Sequence, residues 1–150
     1  TEWVMQNENG AIWEDISIHL GGGKVEKTID FMSTHPDSYK HLKNNPANIS
    51  QISNIEQAIS KAGTYELVRK ANIPHFSSDI KHGDIILFAT SVAGLDYSHM
   101  GIAYWQNNRL NFIHASSKHK AVIVEPRTLV KYCEDSKSCT GITVLRMKGK

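Results

Sequence analysis

A chain of 150 residues with 40% hydrophobic and 21% charged side chains is long enough to fold as one domain around its own core. Its net charge of +2 comes from scattered Lys and Arg rather than one basic stretch, which argues against a nucleic-acid footprint. No apolar run approaches the roughly 18–20 residues of a membrane-spanning helix.

The first half reads as helices and loops. Gly21-Gly22-Gly23 is a break, and residues 24–33 follow with Val25, Ile29, Phe31 and Met32 apolar, which predicts a short amphipathic helix. Pro36 suits the first turn of a second helix that carries Tyr39 and Leu42 on one side. Ile52, Ile55 and Ile59 predict a third, capped by Ser50 or Ser53 and stopped by Gly63. From Gly83 the character changes. Residues 84–90, 99–105, 110–114, 121–125 and 142–147 read as strands, with a brief helix over 127–133. Helices first and a strand meander second predict an α+β fold, with residues 1–150 forming a single domain. Trp3, Trp13 and Trp105 are expected at or near the core. Arg109, Lys118, His119 and Lys120 are expected in solvated turns.

Cys133 and Cys139 stand in CEDSKSC, and no second cysteine pair is present to complete a zinc site. A short-loop disulfide and two separate thiols both remain open. As a nucleophile neither is well placed. Cys133 falls at the C-terminal end of its helix, beside Glu134 and Asp135, where the dipole opposes a thiolate. Cys139 precedes Thr-Gly and a strand.

Asn107-Asn108 lies between two strands and marks a tight hairpin, because Asn tolerates positive φ. Opposed residues then have numbers summing to 215, so Gly101 faces His114 and His99 is the diagonal neighbour on the same side. Diagonal side chains lie roughly 7–8 Å apart or less, within reach of two imidazoles, and the glycine leaves room for a ring. A lone strand histidine is most often structural. Two converging on one face suit a base and its orienter: one takes a proton from a nucleophile, and the other fixes its tautomer. A metal is the competing use of such a pair, and Asp96 is the obvious third ligand.

Several segments, in order, resemble a known superfamily. HGDII at 82–86, SHMGIA at 98–103 and IHAS at 113–116 are similar to the NlpC/P60 succession of a GD-led strand, a strand histidine and a second histidine. The longer string from Gly94 to Met147, together with TEWVMQNENGAIWEDI and IDFMSTHPDSYKHL, resembles the DUF1460 branch, described as N-acetylmuramoyl-L-alanine amidase-like. That resemblance implies a papain-like fold, helices packed on an antiparallel sheet, and hydrolysis of an amide in peptidoglycan by a Cys-His-His site. His99 would be the base and His114 the orienting member. No metal or organic cofactor is implied. The family's nucleophile is a cysteine opening a helix upstream of the matching segments, so the chain is expected to be the C-terminal part of the catalytic domain. It would then be inactive alone and would hold its N-terminal piece or self-associate. An exported or periplasmic bacterial location follows.

Around the two histidines, Ser33 and His35 have capping as their ordinary role, while the resemblance puts FMSTH beside the active site. Asp96, Tyr97 and Ser98 precede the base and would line the rim, and Ser116 follows the second histidine. The alternatives are a non-catalytic module that binds muropeptide and a metal-dependent hydrolase.

Overall fold

The computed structural model describes residues 2, 4, 6, 12–62 and 64–149, and within them eight strands join one antiparallel sheet. They are β1 (Trp13–Asp15), β2 (Gly23–Glu26), β3 (Thr64–Arg69), β4 (Ile85–Thr90), β5 (Tyr97–Gln106), β6 (Arg109–Ser116), β7 (Ala121–Val124) and β8 (Cys139–Met147). The spatial order is β2-β3-β8-β4-β5-β6-β7. β1 pairs with β8 at Leu145–Met147, while β3 pairs with β8 at Gly141 and Ile142. Helices are few: α1 (Phe31–Thr34), α2 (Pro46–Ala62), α3 (Ile73–Phe76) and α4 (Leu129–Asp135). No helix among the described residues is long and apolar enough to cross a membrane.

In the second half β4 to β7 form the expected meander, while β8 leaves it and returns to pair with β4 rather than β7. Asn107 and Asn108 take φ of 51° and 59°, the left-handed pair that a two-residue hairpin needs. Every β5–β6 pair from Ile102↔Ile113 to Gln106↔Arg109 sums to 215. The expected helix over 127–133 begins later, because the Thr128 side chain accepts the Lys131 N–H and caps it.

The first half differs. The helix expected over 24–33 is replaced by β2 and the single turn α1. Val25 and Lys24 pair with Tyr65 and Glu66 of β3, a strand that local periodicity did not reveal. The Gly21–Gly22 break is needed for close approach: a Cβ on Gly22 would lie 2.6 Å from the Ser17 carbonyl. Pro36–Ser38 makes one 3₁₀ turn rather than a helix. α2 starts at Pro46, not at Ser50 or Ser53, because the Asn45 side chain accepts the Asn48 N–H and Pro46 suits the first position. It ends at Ala62, and Gly63 lies outside the described residues, as does Trp3.

Side-chain alternation divides the sheet into two faces. On the first, Ile86, Phe88, Ala103, Phe112, Ile142 and Val144 build the main core with Leu129 and Cys133 of α4, Ile73 of α3, and Ile16 and Leu20. On the second, Ile85, Leu87 and Leu145 pack with Trp13 and Tyr97. Farther along that face Met100, Ile102, Val122 and Val124 are exposed, Val122 at 72%. Cys133 and Cys139 form a disulfide that ties α4 to the start of β8, with Cα atoms 5.6 Å apart. It settles the alternative that the sequence left open.

Candidate active site

Three adjacent segments deliver three polar side chains to the first face. His99 Nε2 lies 2.7 Å from His114 Nδ1, with the rings edge to face at 4.9 Å between centroids. His114 Nε2 lies 3.3 Å from Glu125 Oε2, within ion-pair distance though in no hydrogen bond. The β6–β7 pairs sum to 237, so Glu125 stands opposite Phe112 and donates its N–H to that carbonyl at 2.9 Å. Glu125 is therefore diagonal to His114, as His99 is from the other side. The glycine expected to leave room for the second imidazole serves another ring: a Cβ on Gly101 would lie 2.6 Å from the Phe112 ring.

The surroundings are aromatic. Phe88, Phe112 and Tyr132 of α4 pack tilted or edge to face at 4.9–5.1 Å from one another and lie 4.9–6.3 Å from the imidazoles. His114 and Glu125 are 7% and 4% exposed, while His99 is half-buried. Burial pushes the His99 pKa down and a positive His114 would push it further, while Glu125 works the other way. The balance keeps His99 neutral near neutral pH, the state a base requires. Its Nδ1 makes no hydrogen bond among the described residues.

Glu125 stays ionised despite its burial. Burial raises its pKa, but the Arg127 side-chain and backbone N–H groups, both donating to Oε1 at 2.7 and 3.3 Å, lower it by more. Arg127 also reaches Asp135 at 3.4 Å and lies over the Tyr132 ring at 4.7 Å. Reasoning on the hairpin alone missed this carboxylate. The same diagonal rule would have found it had the register of the 117–120 turn been fixed.

The remaining candidates are arranged differently. Tyr97 does not share the face of His99. The β4–β5 register shifts between Phe88 and Ala89, so Ser98 is the extra residue of a bulge. Tyr97 consequently turns to the second face, where its hydroxyl donates to Thr143 Oγ1 at 2.9 Å. Ser98 is exposed, with its Oγ 3.5 Å from the Phe88 carbonyl. The Asp96 carboxylate accepts the Tyr97 N–H at 2.8 Å. Ser33 and His35 lie on and after α1, whose first N–H groups bond to the Gly94 carbonyl. That contact brings the 30–35 segment against the loop that leads into β5. Glu56 of α2 caps the segment at Met32 N and Ser33 N, and His35 stacks on Phe31 at 4.3 Å. Ser116 is buried and bonds His119 Nδ1 at 2.9 Å, which closes the turn after β6. No three His, Cys, Asp or Glu side chains gather as a metal set among the described residues, so Asp96 does not join the two histidines.

Comparison with known proteins adds names to this geometry. A family model described as AmiA-like, N-acetylmuramoyl-L-alanine amidase-like, matches residues 1–142. An N-acetylmuramoyl-L-alanine amidase from Bacteroides uniformis superposes with a TM-score of 0.90 at 37% identity, over 98% of this chain and 62% of its own. A candidate xylanase from Bacteroides fragilis superposes at 0.89 with 39% identity, over 97% and 63%. A Legionella pneumophila protein matched to the DUF1460 family model shares the fold at 0.66 and 20% identity. The chain thus spans less than two thirds of the length of these structures. No curated protein matches it.

Proposed function

The chain belongs to the AmiA-like, N-acetylmuramoyl-L-alanine amidase-like family, and on that premise we propose that it forms the histidine half of a peptidoglycan amide hydrolase of NlpC/P60, papain-like type. The observation that carries the reading is the His99–His114 contact with His99 Nδ1 left open. His99 takes the proton of a cysteine thiol at Nδ1, the thiolate attacks the amide carbonyl, and His99 then protonates the leaving amine. Water hydrolyses the acyl-enzyme by the reverse proton route. His114 holds the His99 ring in place and shares its positive charge with Glu125. The bond cut is the N-acetylmuramoyl–L-alanine amide or an amide of the peptide stem.

The nucleophile must come from residues other than these. Both cysteines of the chain are joined to each other, so neither offers a thiolate. That pairing favours a second reading for the 150 residues taken alone, as a module that recognises muropeptide without cutting it.

The test uses a longer protein carrying an upstream cysteine at a helix start, residues 1–150 alone, and a Cys133→Ser/Cys139→Ser variant, each incubated with purified muropeptides. Mass spectrometry of the products should show cleavage by the longer protein only, lost on thiol alkylation and kept with a chelator. Cleavage by the short chain that vanishes in the double variant would replace this reading with one in which Cys133 or Cys139 is the nucleophile. Loss of activity to the chelator alone would point to a metal-dependent hydrolase.

A further inference from the structure

The 2.7 Å contact between His99 Nε2 and His114 Nδ1 needs one proton, and either ring can supply it. The two placements have opposite consequences. With the proton on His99 Nε2, His99 Nδ1 is a lone pair and can act as a base. With it on His114 Nδ1, neutral His99 carries its own proton on Nδ1 and cannot. Nothing within the imidazole pair decides between them. The decision comes from the far side of His114.

We infer that Glu125 is a positioning residue that fixes the tautomers of both histidines in series, and that Arg127 makes this selection one-directional. The inference rests on the proposed role of His99 as base. His114 Nε2 faces the Glu125 carboxylate at 3.3 Å in a site where both residues are nearly inaccessible. A lone pair on Nε2 would meet the lone pairs of a carboxylate without water between them, so the proton sits on Nε2. His114 Nδ1 is then an acceptor. His99 Nε2 must donate to it, and His99 Nδ1 is left empty. The neutral tautomer of one imidazole is commonly set by the partner of its other nitrogen. Here the rule operates twice along one line.

Arg127 adds a second constraint. Its Nε–H and backbone N–H both point at Glu125 Oε1, which reserves that oxygen and leaves Oε2 for His114. Glu125→Gln is therefore not a neutral exchange. The amide oxygen must stay with Arg127, so the amide NH₂ turns toward His114 Nε2 and demands a lone pair there. The proton moves to His114 Nδ1, which donates to His99 Nε2, and His99 is left protonated on Nδ1. An isosteric substitution two side-chain contacts from the base would reverse both rings.

The experiment reads tautomers directly and needs neither nucleophile nor substrate. Residues 1–150 labelled with ¹⁵N-histidine give two-bond nitrogen–proton spectra that distinguish Nδ1–H from Nε2–H rings. The parent should show His99 and His114 both as Nε2–H, and Glu125→Gln should show both as Nδ1–H. Arg127→Ala keeps the carboxylate and should retain the parent tautomers. In a longer protein that supplies the proposed upstream cysteine, Glu125→Gln should lower kcat by on the order of 10²–10⁴-fold, the contribution of a positioned base. A parent spectrum with His114 as Nδ1–H overturns the inference even if Glu125→Gln fails to fold. Unchanged tautomers in a folded Glu125→Gln overturn it equally. Should the tautomers behave as stated while no amide is cleaved, the proposed activity fails and this inference stands.

Discussion

Two buried polar chains cross this sheet, one on each face, and they end differently. On the second face Tyr97 donates to Thr143, and Thr143 donates to the Glu66 carbonyl. Every member has its partner and the chain closes on the backbone. On the first face the line runs from Arg127 to Glu125, then to His114 across a 3.3 Å ion-pair contact that is not a hydrogen bond, then to His99, and stops at an open nitrogen. Burying polar groups costs free energy unless they are satisfied, so a closed chain is what structure alone requires. An open end held in an aromatic pocket is what a proton acceptor requires. On the proposed reading, the open chain carries the chemistry and the closed one gives support.

The largest expected effect tests that assignment at its end point. In a longer protein that supplies the proposed upstream cysteine, His99→Ala should lower turnover of muropeptide by about 10²–10⁴-fold, the usual contribution of a positioned base. His114→Ala should lower it by less, since the base survives without its orienter. A His99→Ala protein as active as its parent would show that the open nitrogen is not used.

Next in size is the disulfide that fastens α4 and its Tyr132 over the histidines. By loop-closure entropy, removing a bridge across so short a loop costs about 2–3 kcal/mol. Cys133→Ser/Cys139→Ser should therefore unfold at lower denaturant, and a change in the histidine environment should accompany it. An unchanged midpoint in denaturant titration would mean that packing of Leu129, Val130 and Tyr132 alone holds α4.

The closed chain supplies the matching control. Thr143→Val keeps the shape of a fully buried side chain but leaves the Tyr97 hydroxyl and the Glu66 carbonyl without it. A loss of roughly 1–3 kcal/mol in unfolding free energy is expected. Activity in the longer protein should stay at the parent level when assayed well below the unfolding transition. A large fall in kcat without a fall in stability would erase the distinction between the faces.

How far the sequence carried this argument depended on the distance over which each signal acts. The β5–β6 hairpin was readable because two adjacent asparagines set its register, and that register brought His99 and His114 to one face. β2 and β3 were not readable. Val25 finds Tyr65 across the whole of α2, and β3 then pairs with β8, more than seventy residues on. Local spacing of Val25, Ile29 and Phe31 mimics a helix, and only the distant partner turns the first part into a strand. The direction of Tyr97 depends on a distant partner in the same way. Simple alternation puts it with His99, but the bulge at Ser98 comes from pairing with β4. Glu125 is legible only as the end of the strand expected over 121–125, since the 117–120 turn that would set its register carries a positive φ at Lys120, a residue that gives no turn signal.

The last prediction separates the faces by pH. His99 has its pKa lowered, chiefly by burial, from an ordinary value near 6.5. Its unfolded form therefore binds a proton at higher pH than its folded form does. Stability from this group is complete above the ordinary value and declines as pH falls through the lower folded one. His99 is half-buried, so the decline should be shallow. For activity the consequence is an acidic limb of kcat/KM below the usual histidine range. Tyr97 on the second face has the opposite sign. Burial raises its pKa from 10.0, so its contribution holds below pH 10 and is lost as the solution becomes more alkaline. Denaturant unfolding of the parent, His99→Phe and Tyr97→Phe across both ranges tests the pair. His99→Phe should remove part of the acid sensitivity and leave the alkaline side unchanged, and Tyr97→Phe should do the reverse. If both variants altered the same limb, the two buried chains would be energetically one network, and the contrast between the faces would be lost.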